Sequence, residues 1–128
     1  MADGEASGEE TAVAAEAAAG ALAYLTEMSP DMRGGAILAA DGAVLAASGD
    51  AGRWREDVAA LFGVGDRADD EPVEQLHVGT EQGEVFALRH EGLAAVVVAD
   101  RFALASLLFF DMRSILRDLA AGGVVDAA

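Results

Sequence analysis

The order of apolar patterns along this chain predicts an α+β fold, a five-stranded antiparallel sheet with helices on both faces. Three observations carry that prediction. Residues 34–49, GGAILAADGAVLAASG, hold two apolar runs split by Asp41-Gly42, a dipeptide suited to a type I′ hairpin turn. Residues 73–79, 84–89 and 93–99 read as three strands, joined by turns at Glu81-Gln82-Gly83 and His90-Glu91-Gly92, which makes a meander. Segments with helical spacing precede the hairpin, separate it from the meander and follow the meander.

In chain order, residues 1–10 are small and acidic and are expected to be disordered. From residue 11 to residue 28, Val13, Ala17, Ala21, Tyr24, Leu25 and Met28 recur at three- and four-residue spacing, one face of an amphipathic helix. Ser29-Pro30 ends it, because the residue before proline is pushed out of the α region. The hairpin runs, nearly all Ala, Ile, Leu and Val, belong inside a sheet covered on both faces. Asp50 is placed to cap a second helix, in which Trp54, Val58, Leu61 and Phe62 form one stripe. Gly63 and Gly65 weaken that helix and are expected to stop or fray it before the acidic run at 66–71.

The first meander run alternates, with Val73, Gln75 and His77 on one face and Glu74, Leu76 and Val78 on the other, as in a half-exposed edge strand. The last, LAAVVVA, is continuously apolar and belongs at the centre. Asp100 is placed to cap a closing helix over 102–121, ended by Gly122-Gly123. Its stripe is Leu104, Leu108, Met112, Ile115 and Leu119; Leu107, Phe109 and Phe110 broaden it beyond what one sheet face needs. The domain thus spans 11–121, with 122–128 a flexible C-terminus.

Charge narrows the function classes. Twenty-three acidic residues, eight arginines and no lysine leave a net charge of −15. Such a surface repels phosphate backbones and anionic lipid, so neither nucleic acid nor membrane is expected as a partner. A solvated acidic shell suited to a high-salt cytoplasm and the codon bias of a GC-rich genome account for the acidity equally well. Without cysteine there is no disulfide and no thiolate chemistry; without lysine there is no P-loop lysine and no Schiff base. The acidic N-terminus lacks the regions of a signal peptide, and the default location is cytoplasmic.

No catalytic constellation emerges, and no cofactor or metal is expected. Gly63-Val64-Gly65-Asp66-Arg67-Ala68 fits G-x-G-x-x-A, but that loop must follow a strand and open a helix. Here it follows a helix and runs into acidic residues that repel a pyrophosphate. His77 and His90 lack the converging ligands of a metal site, and Ser48, His90 and Asp100 lack a nucleophile elbow.

The element order, with the hairpin GGAILAADGAVLAAS, the turn and strand EQGEVFALR, and LAAVVVADRFALASLLF, resembles the Roadblock family, related to the dynein light chains. The resemblance covers residues 12–119 and implies a profilin-like layered domain, its first and last helices on one sheet face and the Trp54 helix on the other. It also implies a homodimer, or a heterodimer with a paralogue, formed by the second helix and third strand. The interface would then include Arg53, Trp54, Val58, Leu61, Phe62, Val73, Gln75, Leu76 and His77. Arg53 and Arg55 flank Trp54 as interface anchors or as solvated charges; an arginine finger is a sharper reading that nothing local distinguishes. The implied function is a non-enzymatic dimeric scaffold that binds and regulates a small Ras-like GTPase. The alternative is a nucleotide-independent adaptor assembling a kinase-containing signalling complex. A sensory domain of PAS-like shape is disfavoured, since the sheet residues leave few polar groups to orient a ligand.

Overall fold

The computed structural model describes residues 2–49, 51–69, 74–79, 81, 83–101 and 103–122, with side chains from residue 15 onward and excepting those of residues 51, 68 and 69. Three helices, α1 (Ala2–Met28), α2 (Ala51–Asp69) and α3 (Ala105–Ala120), accompany five strands: β1 (Met32–Ala39), β2 (Val44–Ala47), β3 (Gln75–Gly79), β4 (Glu84–His90) and β5 (Leu93–Ala99). The strands form one antiparallel sheet in the order β2-β1-β5-β4-β3. The expected five-stranded α+β architecture is therefore present, with the run LAAVVVA at its centre.

Strand alternation sorts the side chains into two cores. Ile37, Phe86, Leu88 and Val97 face α1 and α3, where Leu25, Met112, Ile115 and Leu116 bury themselves completely or nearly so. Ala36, Leu38, Ala87 and Val96 face α2 and meet Val58 and Phe62. The first core is the thicker, because two helices cover that face and only one covers the other.

Several local features differ from expectation. The Asp41-Gly42 turn is not type I′, which needs positive φ at both central residues. Gly42 alone has it, at 90°. Gly42 N–H donates to Ala39 O at 2.9 Å and Ala39 N–H to Ala43 O at 2.8 Å, closing a three-residue loop. Asp41 Oδ1 accepts from Ala43 N–H at 2.9 Å and stiffens it. The two-residue turn with both φ positive is instead Glu91-Gly92, at 54° and 77°, between β4 and β5. A bulge then re-registers β2 on β1, whose partners pass from Ala46 to Val44 and skip Leu45. The hairpin is also not wholly interior: β1 is buried, whereas β2 is a half-buried edge strand.

The helices depart at their ends. The backbone of α1 is helical from Ala2, through the acidic stretch where composition predicts disorder; alanines and early glutamates both favour helix there. Residues 63 and 65 do not break α2, which continues to Asp69. Packing of Phe62 on the sheet and anchoring of Asp66 outweigh the intrinsic cost of glycine. Asp100 does not cap α3: the N-cap is Leu104, without a side-chain cap bond, and the Asp100 carboxylate pairs with Arg33 at 2.6 Å. Gly122, at φ 78°, ends α3 in the left-handed conformation as expected. Asp50 lies outside the described residues.

Candidate functional site

The residues expected to form an interface divide between two faces of the sheet. In β3, Leu76 opposes Ala87 and Val78 opposes Val85, on the α2 side; Gln75 opposes Leu88 and His77 opposes Phe86, on the side of α1 and α3. Val73 lies outside the described residues. β3 itself is the sheet's outer strand and is largely exposed, as its alternation predicts. Among the described residues no strand pairs with its outer side, which is available to another strand.

On the α2 side, Val58 and Phe62 are 5% and 4% exposed and serve the core. Leu61 and Trp54 are half-buried. The Trp54 indole Nε1–H donates to Ser48 O at 2.6 Å, tying the start of α2 to the end of β2. Because α2 leans over β1 and β2, it leaves part of the β5 and β4 face uncovered. The result is an open groove of about 440 Å³ walled by Trp54, Val58, Leu61, Val85, Val96 and Val98, with Arg53 and Asp57 at its rim. That rim pair is exposed and long, at 3.9 Å, so it adds little to stability. Arg55 is exposed. Val78, 39% exposed, lies on the same sheet face.

Further along α2, Asp66 holds Arg89 of β4 with both carboxylate oxygens, at 2.9 and 3.2 Å. The Arg89 guanidinium lies 4.0 Å from the Phe62 ring centroid. This clamp was not legible in the sequence, since its members are 23 residues apart and meet only once α2 runs past Gly65.

On the opposite face the His77 ring stacks on Phe86 at 4.4 Å, and His77 Nε2 lies 3.0 Å from Glu84 Oε1. A carboxylate accepts only, so Nε2 carries the proton. Arg113 of α3 donates to Gln75 Oε1 at 3.2 Å. These contacts fix β3 from one side and leave its outer edge open.

The catalytic patterns do not assemble. The G-x-G-x-x-A segment is inside α2, where its amides are engaged in the helix rather than converging on a phosphate. His90 and Asp100 sit at opposite ends of the β4–β5 ladder, about 20 Å apart by strand rise. Ser48 Oγ accepts from Gly35 N–H at 3.3 Å. Among the described residues no group of three or more His, Asp or Glu side chains is placed to hold a metal ion. No described helix is long and apolar enough to cross a membrane.

Comparison with known proteins gives a likeness of fold. A Roadblock/LC7 domain from Streptomyces avermitilis superposes with a TM-score of 0.65 at 22% identity, over 80% of this chain and 93% of that one. The gliding protein MglB from Thermus thermophilus gives 0.70 at 16% identity, over 86% and 93%. An MglB in a tetrameric arrangement gives 0.63 at 16% identity, over 84% and 88%. No family model and no curated protein matches the sequence. The chain has the Roadblock/LC7 fold.

Proposed function

We propose that the protein is a dimeric scaffold, without catalysis of its own, that binds and regulates a small Ras-like GTPase. The observation that carries this reading is the unfinished side of the sheet. An outer strand, unpaired on its far side among the described residues, turns Val78 to the same sheet face as an apolar groove that α2 only half covers. A second copy related by a two-fold axis completes both at once: β3 pairs with its equivalent, and α2 lays Trp54 and Leu61 against the partner. The likeness to a tetrameric MglB supports self-association of this fold. The GTPase rests on the resemblance of the hairpin and the closing strand–helix segment to the Roadblock family, whose prokaryotic members bind such enzymes.

The mechanism is positional. The dimer favours one switch-loop conformation by binding the two nucleotide states with different affinity. Arg53 at the rim of the groove and Arg55 on the other flank of α2 are exposed cations available to such a partner. The test is capture from the source organism's lysate with added GTP analogue or GDP, at matched salt. A small GTPase recovered in one nucleotide state only is the expected result. Kinases or other signalling proteins recovered regardless of nucleotide, without a GTPase, would replace this reading with the adaptor.

A further inference from the structure

Among the described residues six large apolar side chains are exposed; three of them, Met28 at 55%, Leu104 at 69% and Leu107 at 56%, line one hollow, and Phe110 at 64% follows Leu107 three residues on in α3. They belong to the end of α1 and the beginning of α3, on the sheet face opposite the groove described above. Of the excess breadth of the closing helix noted in its sequence, the core absorbs Phe109 and leaves Leu107 and Phe110 outside, and Leu104, expected in the buried stripe, is exposed as well. Leu104, Leu107 and Phe110 form one ridge at three-residue spacing. Beside the ridge, Met28, Met32, Leu104, Leu107 and Leu108 wall a hollow of about 270 Å³ that opens to solvent.

The rim of the hollow is acidic. Asp31 and Asp111 line it, and neither carboxylate has a hydrogen-bond or ion-pair partner among the described residues. Partial burial disfavours the ionised form of Asp111 and raises its carboxyl above the ordinary value. Glu27 is exposed on the last turn of α1.

We propose that this face docks a basic amphipathic helix of a partner protein. The ridge and hollow between two helix ends match the helix-in-groove mode, in which apolar side chains at i, i+3 and i+4 are the anchors. Lysines or arginines flanking those anchors would meet Asp31 and Asp111, whose carboxylates have no ion-pair partner among the described residues. A second copy of this chain is the wrong occupant, because a two-fold contact here would bring the same unpaired carboxylates together. The face is separate from the α2–β3 side, so it can be occupied while the dimer is intact, and the inference does not rest on the GTPase reading.

The probe is a labelled peptide of about 18 residues, five helical turns, with leucines on one face and lysines on the other. A peptide of the same composition in scrambled order controls for attraction to the overall negative charge. The expected result is about tenfold tighter binding of the amphipathic peptide, with NMR shifts at Met28, Leu104, Leu107 and Phe110. Leu107→Glu and Phe110→Glu should each abolish that preference without changing circular dichroism, since both side chains are exposed. Asp31→Asn with Asp111→Asn should weaken the amphipathic peptide more than the scrambled one. Equal binding of the two peptides, shifts confined to the α2 groove, or no binding would overturn the proposal. Loss of self-association in Leu107→Glu would also overturn it and assign the face to a second copy.

Discussion

Single side chains in this fold carry separable loads. Trp54 both bonds to the Ser48 carbonyl and walls the groove. Trp54→Phe removes the donor and keeps most of the ring, so it should lower stability by about 1 kcal/mol while preserving the groove; urea unfolding measures it. Gly35 is more constrained. A Cβ there would meet the Val96 carbonyl oxygen at 2.8 Å and Met32 Cε at 2.7 Å. The methionine can swing away, but the backbone of the central strand cannot. Gly35→Ala should therefore destabilise by about 1–3 kcal/mol, the range for overpacking, read as a lower thermal midpoint. Asp111 gives a pH signature. Its carboxyl is raised by burial, so the folded state holds its proton more tightly than the unfolded chain does. The ionised form is penalised above the folded pKa, and the penalty fades as pH falls through that value towards the unfolded one. Asp111→Asn should thus be more stable than the parent at neutral pH, and the difference should vanish in acid.

At the scale of elements, legibility followed the range of the interactions involved. Every helix and strand was visible, because each rests on local periodicity: LAAVVVA is central, and the alternating β3 is an edge. Loop geometry was less visible, since Asp41-Gly42 serves a three-residue loop as well as a two-residue one, and only the pairing of Ala39 with Ala43 decides. The continuation of α2 through Gly63 and Gly65 was not legible at all. It depends on Arg89, which reaches Asp66 from a different element. Of the residues expected at an interface, Trp54, Val58, Leu61 and Phe62 form a single stripe in the sequence, which could not show that Val58 and Phe62 are buried against the sheet while Trp54 and Leu61 stay half-buried along the groove. If tertiary contacts rather than propensity hold α2, its glycines are a reserve of stability. A Cβ at Gly63 would meet only an Arg67 guanidinium nitrogen, at 3.5 Å. Gly63→Ala should raise stability by up to about 1 kcal/mol, measured by thermal unfolding.

For the whole molecule, charge and association pull against each other. Each chain carries −15, so joining two along β3 and α2 brings two strongly negative bodies into contact. In the proposed dimer, apolar burial of Trp54, Leu61 and Val78 would favour association and long-range repulsion would oppose it. Salt tips that balance, because the screening length falls from about 10 Å at 0.1 M to about 3 Å at 1 M, while the apolar contribution does not weaken. The dimer should therefore tighten as salt rises, the reverse of an association driven by opposite charges. Light scattering across a dilution series at two salt concentrations measures this. Val78→Lys separates the interface from the fold. A lysine on an exposed edge strand blocks strand pairing, and Val78 is 39% exposed, so the variant should fold normally and give the mass of a single chain at either salt. A parent protein of single-chain mass throughout would rule out the two-fold assembly. Thermal midpoints over the same salt range address the acidic surface. A monomeric variant whose stability rises steeply with salt fits an acidic shell adapted to a saline interior, and one indifferent to salt fits compositional bias.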